Sequence, residues 1–174
     1  MKTIGIVYHP NMDDSVRLAE QLRALLGQHG LPMSQGTADE LTGCNLAPEL
    51  EVVFSLGGDG TIVRTARMLS CCGVPVLGVN LGRLGFLAEV EPDDLERAFL
   101  AVVERRYHVE RRMMLHAEVW RGGQLLKQAE AINDIVLARG AALRTVQVSI
   151  EVDGHYLMTQ VADGLIMSTP TGTT

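Results

Sequence analysis

The stretch Ser55-Leu56-Gly57-Gly58-Asp59-Gly60-Thr61 sets three glycines and one carboxylate between an apolar run and a helical one. Glycines at such a junction let backbone N–H groups approach a ligand closely, and the positive end of the following helix favours negative charge, so the loop can cradle phosphates. A carboxylate beside a polyphosphate is repelled by it. Two arrangements offset that repulsion: a divalent cation bridging Asp59 to phosphate oxygens, or a role for Asp59 as proton acceptor from an attacking hydroxyl. Both belong to phosphoryl transfer, where catalysis is mostly positioning and electrostatics. The competing reading is structural, a strand-to-helix turn with Asp59 as the helix cap.

Two further groups of residues carry possible chemistry. Asn133-Asp134 puts an amide beside a carboxylate at the head of the apolar run Ile135-Val136-Leu137, where the pair could read ribose hydroxyls or simply form a turn. Asp163-Gly164, followed by Ser168-Thr169-Pro170-Thr171-Gly172-Thr173-Thr174, supplies hydroxyls on a loop stiffened by Pro and Gly. Such a loop can hydrogen-bond a phosphate or a base edge, or it can be a solvated terminus.

Other chemistries lack their parts. The only lysines are Lys2 and Lys127, and neither follows a glycine-rich stretch, so a P-loop is absent. Gly78, Gly82 and Gly85 do not have the G-x-G-x-x-G spacing of a dinucleotide fingerprint. His116-Ala117-Glu118 has the H-x-E half of a zinc deaminase motif without its cysteine half, and no G-x-S-x-G elbow exists.

The elements that must hold these residues follow from periodicity. Ile4 to Tyr8 reads as a strand and Asp14 to Leu26 as a helix, with Leu18, Leu22, Leu25 and Leu26 at helical spacing. A short strand is expected near Leu31 to Ser34, a buried strand over Glu51 to Leu56, a helix over Thr61 to Leu69 and a strand over Val74 to Val79. Pro92 opens a helix running to about Arg106. Strands alternating with helices predict an α/β domain with a parallel sheet over residues 1–106. From Tyr107 alternation and tight turns take over, with hairpin signals at Arg121-Gly122-Gly123-Gln124 and Val152-Asp153-Gly154-His155, so residues 107–174 are expected to be all-β.

Composition bounds the partners. The 174 residues carry a net charge of −6, which argues against a nucleic-acid polymer as the main partner. The apolar stretch Val74 to Val90 is broken by Asn80, Arg83, three glycines and one proline, so no membrane span is expected. Three cysteines, Cys44, Cys71 and Cys72, with two of them adjacent, fit a reduced cytoplasmic setting.

Taken together, Gly57 to Thr61, Asn80-Leu81-Gly82-Arg83-Leu84-Gly85-Phe86-Leu87, Asn133-Asp134, and Asp163-Gly164 leading into Ser168 to Thr174 resemble the NAD kinase family in order and spacing, over essentially the whole chain. The first motif is shared with diacylglycerol kinases, sphingosine kinases and phosphofructokinases, whereas the other three are characteristic of NAD kinases. The resemblance implies a Rossmann-like domain followed by an all-β sandwich domain. It implies transfer of phosphate from ATP, or from inorganic polyphosphate, to the 2′-hydroxyl of the adenosine ribose of NAD, giving NADP.

The same resemblance assigns roles. Asp59 would take the proton from that hydroxyl, while Gly57, Gly58, Gly60 and Thr61 would hold phosphates. Phe86 would line the adenine side of the NAD site, and Asn133 with Asp134 would hold the ribose. Asp163 would brace that side, with the terminal loop, including Thr171, Thr173 and Thr174, against the adenine. A divalent cation, most readily Mg²⁺, is implied without protein ligands assigned to it, as is a homodimer or homotetramer.

Two departures stand out. The family commonly has Glu after the Asn, and Asp134 is one methylene shorter. The chain also stops at Thr174, inside the last motif, where the family continues, so the expectation is an N-terminal portion with an unfinished β domain and little turnover of its own. A lipid or sugar kinase of the same superfamily, and an inactive nucleotide-binding fragment, stand as the alternatives.

Overall fold

A computed structural model describes residues 3–37, 49–82, 85–140 and 145–173. The chain divides into two compact units, at Glu110 and Arg111.

In the first unit, β1 (Thr3–Tyr8), β2 (Met33–Gly36), β3 (Leu50–Gly57) and β4 (Val76–Asn80) form a parallel sheet in the order β2-β1-β3-β4. Helix α1 (Asp13–Gln28) follows β1, α2 (Asp59–Leu69) follows β3, and a 3₁₀ turn (Pro92–Asp94) leads into α3 (Leu95–Val103). Strand alternation sorts the core into two layers. Ile4, Ile6, Phe54 and Leu56 pack with Leu18, Leu22 and Leu26 of α1 and Phe99 and Val102 of α3. Val7, Leu50 and Val53 pack with Leu69 of α2. Helices therefore cover both faces, and a side chain as large as Phe54 or Phe99, fully buried, contributes about 1.5–3 kcal/mol to that packing.

Helix α1 starts with Asp13 and Asp14 in its first turn, where carboxylates favour the dipole, and ends before Gly30, which takes φ +62°. Three expected boundaries move. The second strand lies two residues later than Leu31–Ser34, the third helix stops at Val103 rather than near Arg106, and its entry over Pro92–Asp94 is a 3₁₀ turn. Arg105 takes φ +56°, which no helix can continue through.

The second unit is all-β. Strands β5 (Leu115–Arg121) and β6 (Gln124–Ala131) form one antiparallel ribbon, β8 (Val146–Val152) and β9 (His155–Ala162) another, and β7 (Asp134–Ala138) with β10 (Gly164–Ser168) a third. Both expected hairpins are present. Gly122 and Gly123, and Asp153 and Gly154, all have positive φ, as a type I′ turn requires.

Cys72 is half-buried, with its Sγ 3.4 Å from that of Cys71. Cys44 lies outside the described residues. Among the described residues no helix is long and apolar enough to cross a membrane.

Candidate functional site

In the order β2-β1-β3-β4 the chain passes from β1 outward to β2 and then back across to β3, so β1 and β3 flank a topological switch point. The helices that follow these two strands pack on opposite faces of the sheet, the arrangement in which open α/β sheets generally take ligands at the carboxyl ends of their strands. The Gly57–Thr61 loop sits there, as the exit from β3.

Two buried hydroxyl links hold that exit. Ser15, fully buried in α1, donates to the Leu56 carbonyl at 2.6 Å and accepts the His9 N–H at 2.8 Å, tying the ends of β1 and β3 together. Ser55 and Thr65, also fully buried, lie 3.0 Å apart through their hydroxyls, and Thr65 donates to the Thr61 carbonyl at 2.8 Å. The first turn of α2 is thereby anchored to β3. Gly58 is the N-cap of α2 and has no side chain to engage the first-turn amides, which favours an anionic ligand there.

Asp59 does not cap the helix. Its Oδ2 accepts the Phe86 N–H at 2.9 Å and its Oδ1 accepts the Leu87 N–H at 3.2 Å, across 27 and 28 residues of sequence. The capping alternative is thus replaced by a longer-range role. Gly85 makes this approach possible, since a Cβ there would lie 2.6 Å from Asp59 Oδ1. The Phe86 side chain is 59 % exposed beside the loop. Gly57, Gly58, Asp59, Gly60, Thr61 and Phe86 therefore share one site in the first unit. Arg83 and Leu84 lie outside the described residues.

A second group forms within the second unit. Pairing of β7 with β10 sets Asp134 opposite Ser168, so two motifs distant in sequence meet at one end of a ribbon. The Thr169 N–H donates to the Asn133 carbonyl at 2.8 Å, and the Ser168 hydroxyl donates to the same oxygen at 3.1 Å. Thr169, fully buried, donates its hydroxyl to the Ile132 carbonyl at 2.5 Å and accepts the Gly172 N–H at 3.3 Å. Gly172 packs so closely that a Cβ would sit 2.5 Å from Ser168 Oγ and 2.6 Å from the Asn133 carbonyl carbon. Thr173 closes the turn by donating to the Pro170 carbonyl at 3.1 Å.

Asn133 Oδ1 is buried and has no hydrogen-bond partner among the described residues. An orphaned acceptor of this kind carries a desolvation cost that a hydroxyl or amide donor on a ligand would relieve. Asp134 is exposed on the adjoining position, where its carboxylate can accept hydroxyl donors. Thr171 is half-buried in the same turn, and Thr174 lies outside the described residues. Asp163 stands at the other end of the ribbon, paired with the Arg139 guanidinium at 3.2 Å.

The supporting residues Ser15, Ser55 and Thr65 escape motif reading. Ser55 alone leaves a trace, as a polar residue inside the apolar run Val52 to Leu56.

Comparison with known proteins matches the ATP-NAD kinase N-terminal domain over residues 37–107 and the ATP-NAD kinase C-terminal domain over residues 132–174. An NAD kinase of Desulforamulus reducens is 37 % identical over 183 residues, with 100 % of this chain and 64 % of that protein covered. One from Nitratidesulfovibrio vulgaris strain Hildenborough is 40 % identical over 176 residues, covering 100 % and 59 %. The chain thus spans about three-fifths of the length of these relatives. Among solved structures, yeast NADH kinase complexed with NADH superposes with a TM-score of 0.78 at 24 % identity, covering 100 % of this chain and 59 % of that one. An NAD kinase from Archaeoglobus fulgidus in complex with ATP gives 0.68 at 22 %, covering 99 % and 62 %. These two likenesses establish a shared fold. The two family matches take in the Gly57–Thr61 loop and the Asn133 and Thr169 turn in turn, and the chain belongs to the NAD kinase family.

Proposed function

We propose that the protein phosphorylates the 2′-hydroxyl of the adenosine ribose of NAD, with ATP or polyphosphate as donor, to give NADP. The observation that carries this reading is the Asp59 carboxylate, held by two backbone amides beside a glycine loop at the N-terminus of α2. In such a site the amides and the helix end bind the donor phosphates, and the fixed carboxylate accepts the proton of the attacking hydroxyl. Each carboxylate oxygen that accepts one amide keeps a lone pair for that proton. The relatives support the same reading: NAD kinases, a yeast NADH kinase complexed with NADH, and an archaeal NAD kinase in complex with ATP.

Phe86, with its exposed ring, offers a surface for the adenine of NAD. Asn133, Asp134, Thr171, Thr173 and Thr174 would hold the ribose and adenine, and Asp163 would brace their ribbon through Arg139. The donor set also fits a divalent cation that arrives with the nucleotide. Mg²⁺ is held chiefly by phosphate oxygens and water, with few carboxylates, and among the described residues no cluster of acidic, His or Cys groups forms a cage of its own. When bound, the cation would neutralise charge on the transferring phosphoryl group. A cytoplasmic homodimer or homotetramer is part of the same reading.

The test is formation of NADP from NAD, ATP and Mg²⁺ by the protein at its relatives' full length, read with an NADP-specific dehydrogenase, and the 174 residues alone are expected to turn over little. Asp59→Asn is expected to lower kcat by about 10²–10⁴-fold, the usual share of a general base, with an unchanged circular dichroism spectrum. Near-normal turnover by that variant would overturn the assignment of the base.

A further inference from the structure

Resting on the phosphoryl-transfer reading of Asp59, we propose that the turn Gly85-Phe86-Leu87 is a positioning cradle for the Asp59 carboxylate, working through two backbone amides and one missing side chain. A carboxylate at the first position of a helix would ordinarily turn toward its own helix's amides. That of Asp59 is instead gripped at both oxygens, with Oδ2 to the Phe86 N–H at 2.9 Å and Oδ1 to the Leu87 N–H at 3.2 Å. Two donors on two oxygens fix the rotation of the carboxylate plane as well as its position, which one hydrogen bond cannot do.

The donors are not on a loose loop. The excursion between β4 and Val90 is closed at its base: the Asn80 N–H donates to the Val90 carbonyl at 2.8 Å, the Val90 N–H to the Gly78 carbonyl at 3.2 Å, and the Leu81 N–H to the Gly57 carbonyl at 3.2 Å. Asn80, only 7 % exposed, accepts the Gly82 N–H on Oδ1 at 3.1 Å, and that oxygen lies 3.5 Å from where a Gly85 Cβ would be. A Gly85 Cβ would also fall 2.6 Å from Asp59 Oδ1 and 3.4 Å from its Cγ, so any side chain at residue 85 pushes the carboxylate out of the cradle. The same turn displays the exposed Phe86 ring.

The cradle is tested on the full chain by amide hydrogen exchange, which needs no turnover. The Phe86 and Leu87 amides should exchange slowly, and Asp59→Ala should speed both by about tenfold or more. Asp59→Asn retains one acceptor oxygen and should release one of the two amides. Gly85→Ala should release both, whereas Gly27→Ala, on the open face of α1, should leave them protected. In the NADP-forming assay Gly85→Ala should cut kcat by about 10²-fold, since a displacement near 1 Å can cost that much, with KM for ATP and NAD within about threefold. Unchanged exchange in Asp59→Ala would overturn the cradle, as would a folded Gly85→Ala variant with normal kcat. Slow amides released by Asp59→Ala, together with no NADP formed by the same chain extended to its relatives' full length, would uphold the cradle and refute the proposed reaction.

Discussion

Thr65 has one hydroxyl proton and gives it to the Thr61 carbonyl, so in the 3.0 Å contact with Ser55 the proton must come from Ser55. Both side chains are fully buried, and the direction of this bond makes the two deletions unequal. Thr65→Val keeps the shape and strands the Ser55 O–H in the β3–α2 interface, where an unpaired buried donor costs about 1–3 kcal/mol. Ser55→Ala removes the donor and leaves Thr65 still bonded to Thr61, so its cost is the net value of one hydrogen bond, about 1 kcal/mol. The double variant has no stranded donor and should be more stable than Thr65→Val alone, by roughly 1 kcal/mol, although it carries one more substitution. Urea unfolding of the four proteins, followed by far-ultraviolet circular dichroism, completes the cycle. Additive losses, or a Ser55→Ala variant at least as unstable as Thr65→Val, would refute the assigned direction of the bond.

Two predictions concern the second unit. Trp120 Nε1–H donates to Glu118 at 2.7 Å, and this bond, followed by the one from His116, holds the Glu118 carboxyl below the ordinary carboxylate value. A carboxyl lowered by folding contributes stability above its unfolded value and loses it as pH falls through the folded one. Trp120→Phe should therefore move the Glu118 titration, read by carbon-detected NMR, to higher pH, and an unmoved midpoint would exclude Trp120 as the chief cause. Thr169→Val removes the hydroxyl that serves the Ile132 carbonyl and the Gly172 N–H. It should destabilise the unit by about 1–3 kcal/mol in chemical denaturation, with Thr169→Ser restoring most of the loss, and a neutral Thr169→Val would show the buried link to be dispensable.

Periodicity and turn chemistry make much of the architecture legible in the sequence. Leu18, Leu22 and Leu26 mark one helix face wherever that helix packs, and Asp153-Gly154 demands a tight hairpin because few residue pairs accept positive φ twice. The Gly57–Thr61 loop was equally visible as a junction able to meet phosphate, since backbone geometry around glycine is a local property. Less clear were the ends of α3 and β2, where backbone details outside any apolar pattern, such as the positive φ at Arg105, set the limits.

What the sequence by itself determined is the set of local preferences: strand or helix, turn or run, and which residues could do chemistry. It left Asp59 with two roles, cap or reactive carboxylate, because both are compatible with a helix's first residue. Only the tertiary structure removes the cap from that pair, by bringing the amides of Phe86 and Leu87 to its oxygens from 27 and 28 residues away. The same holds for Ser15 beneath Leu56, and for Asn133 at the Thr169 turn, paired by strand register across some 35 residues. Hydrogen bonds between distant residues depend on where the sheet places its strand ends, and that placement is a result of burying the whole core at once rather than of any segment's own preference.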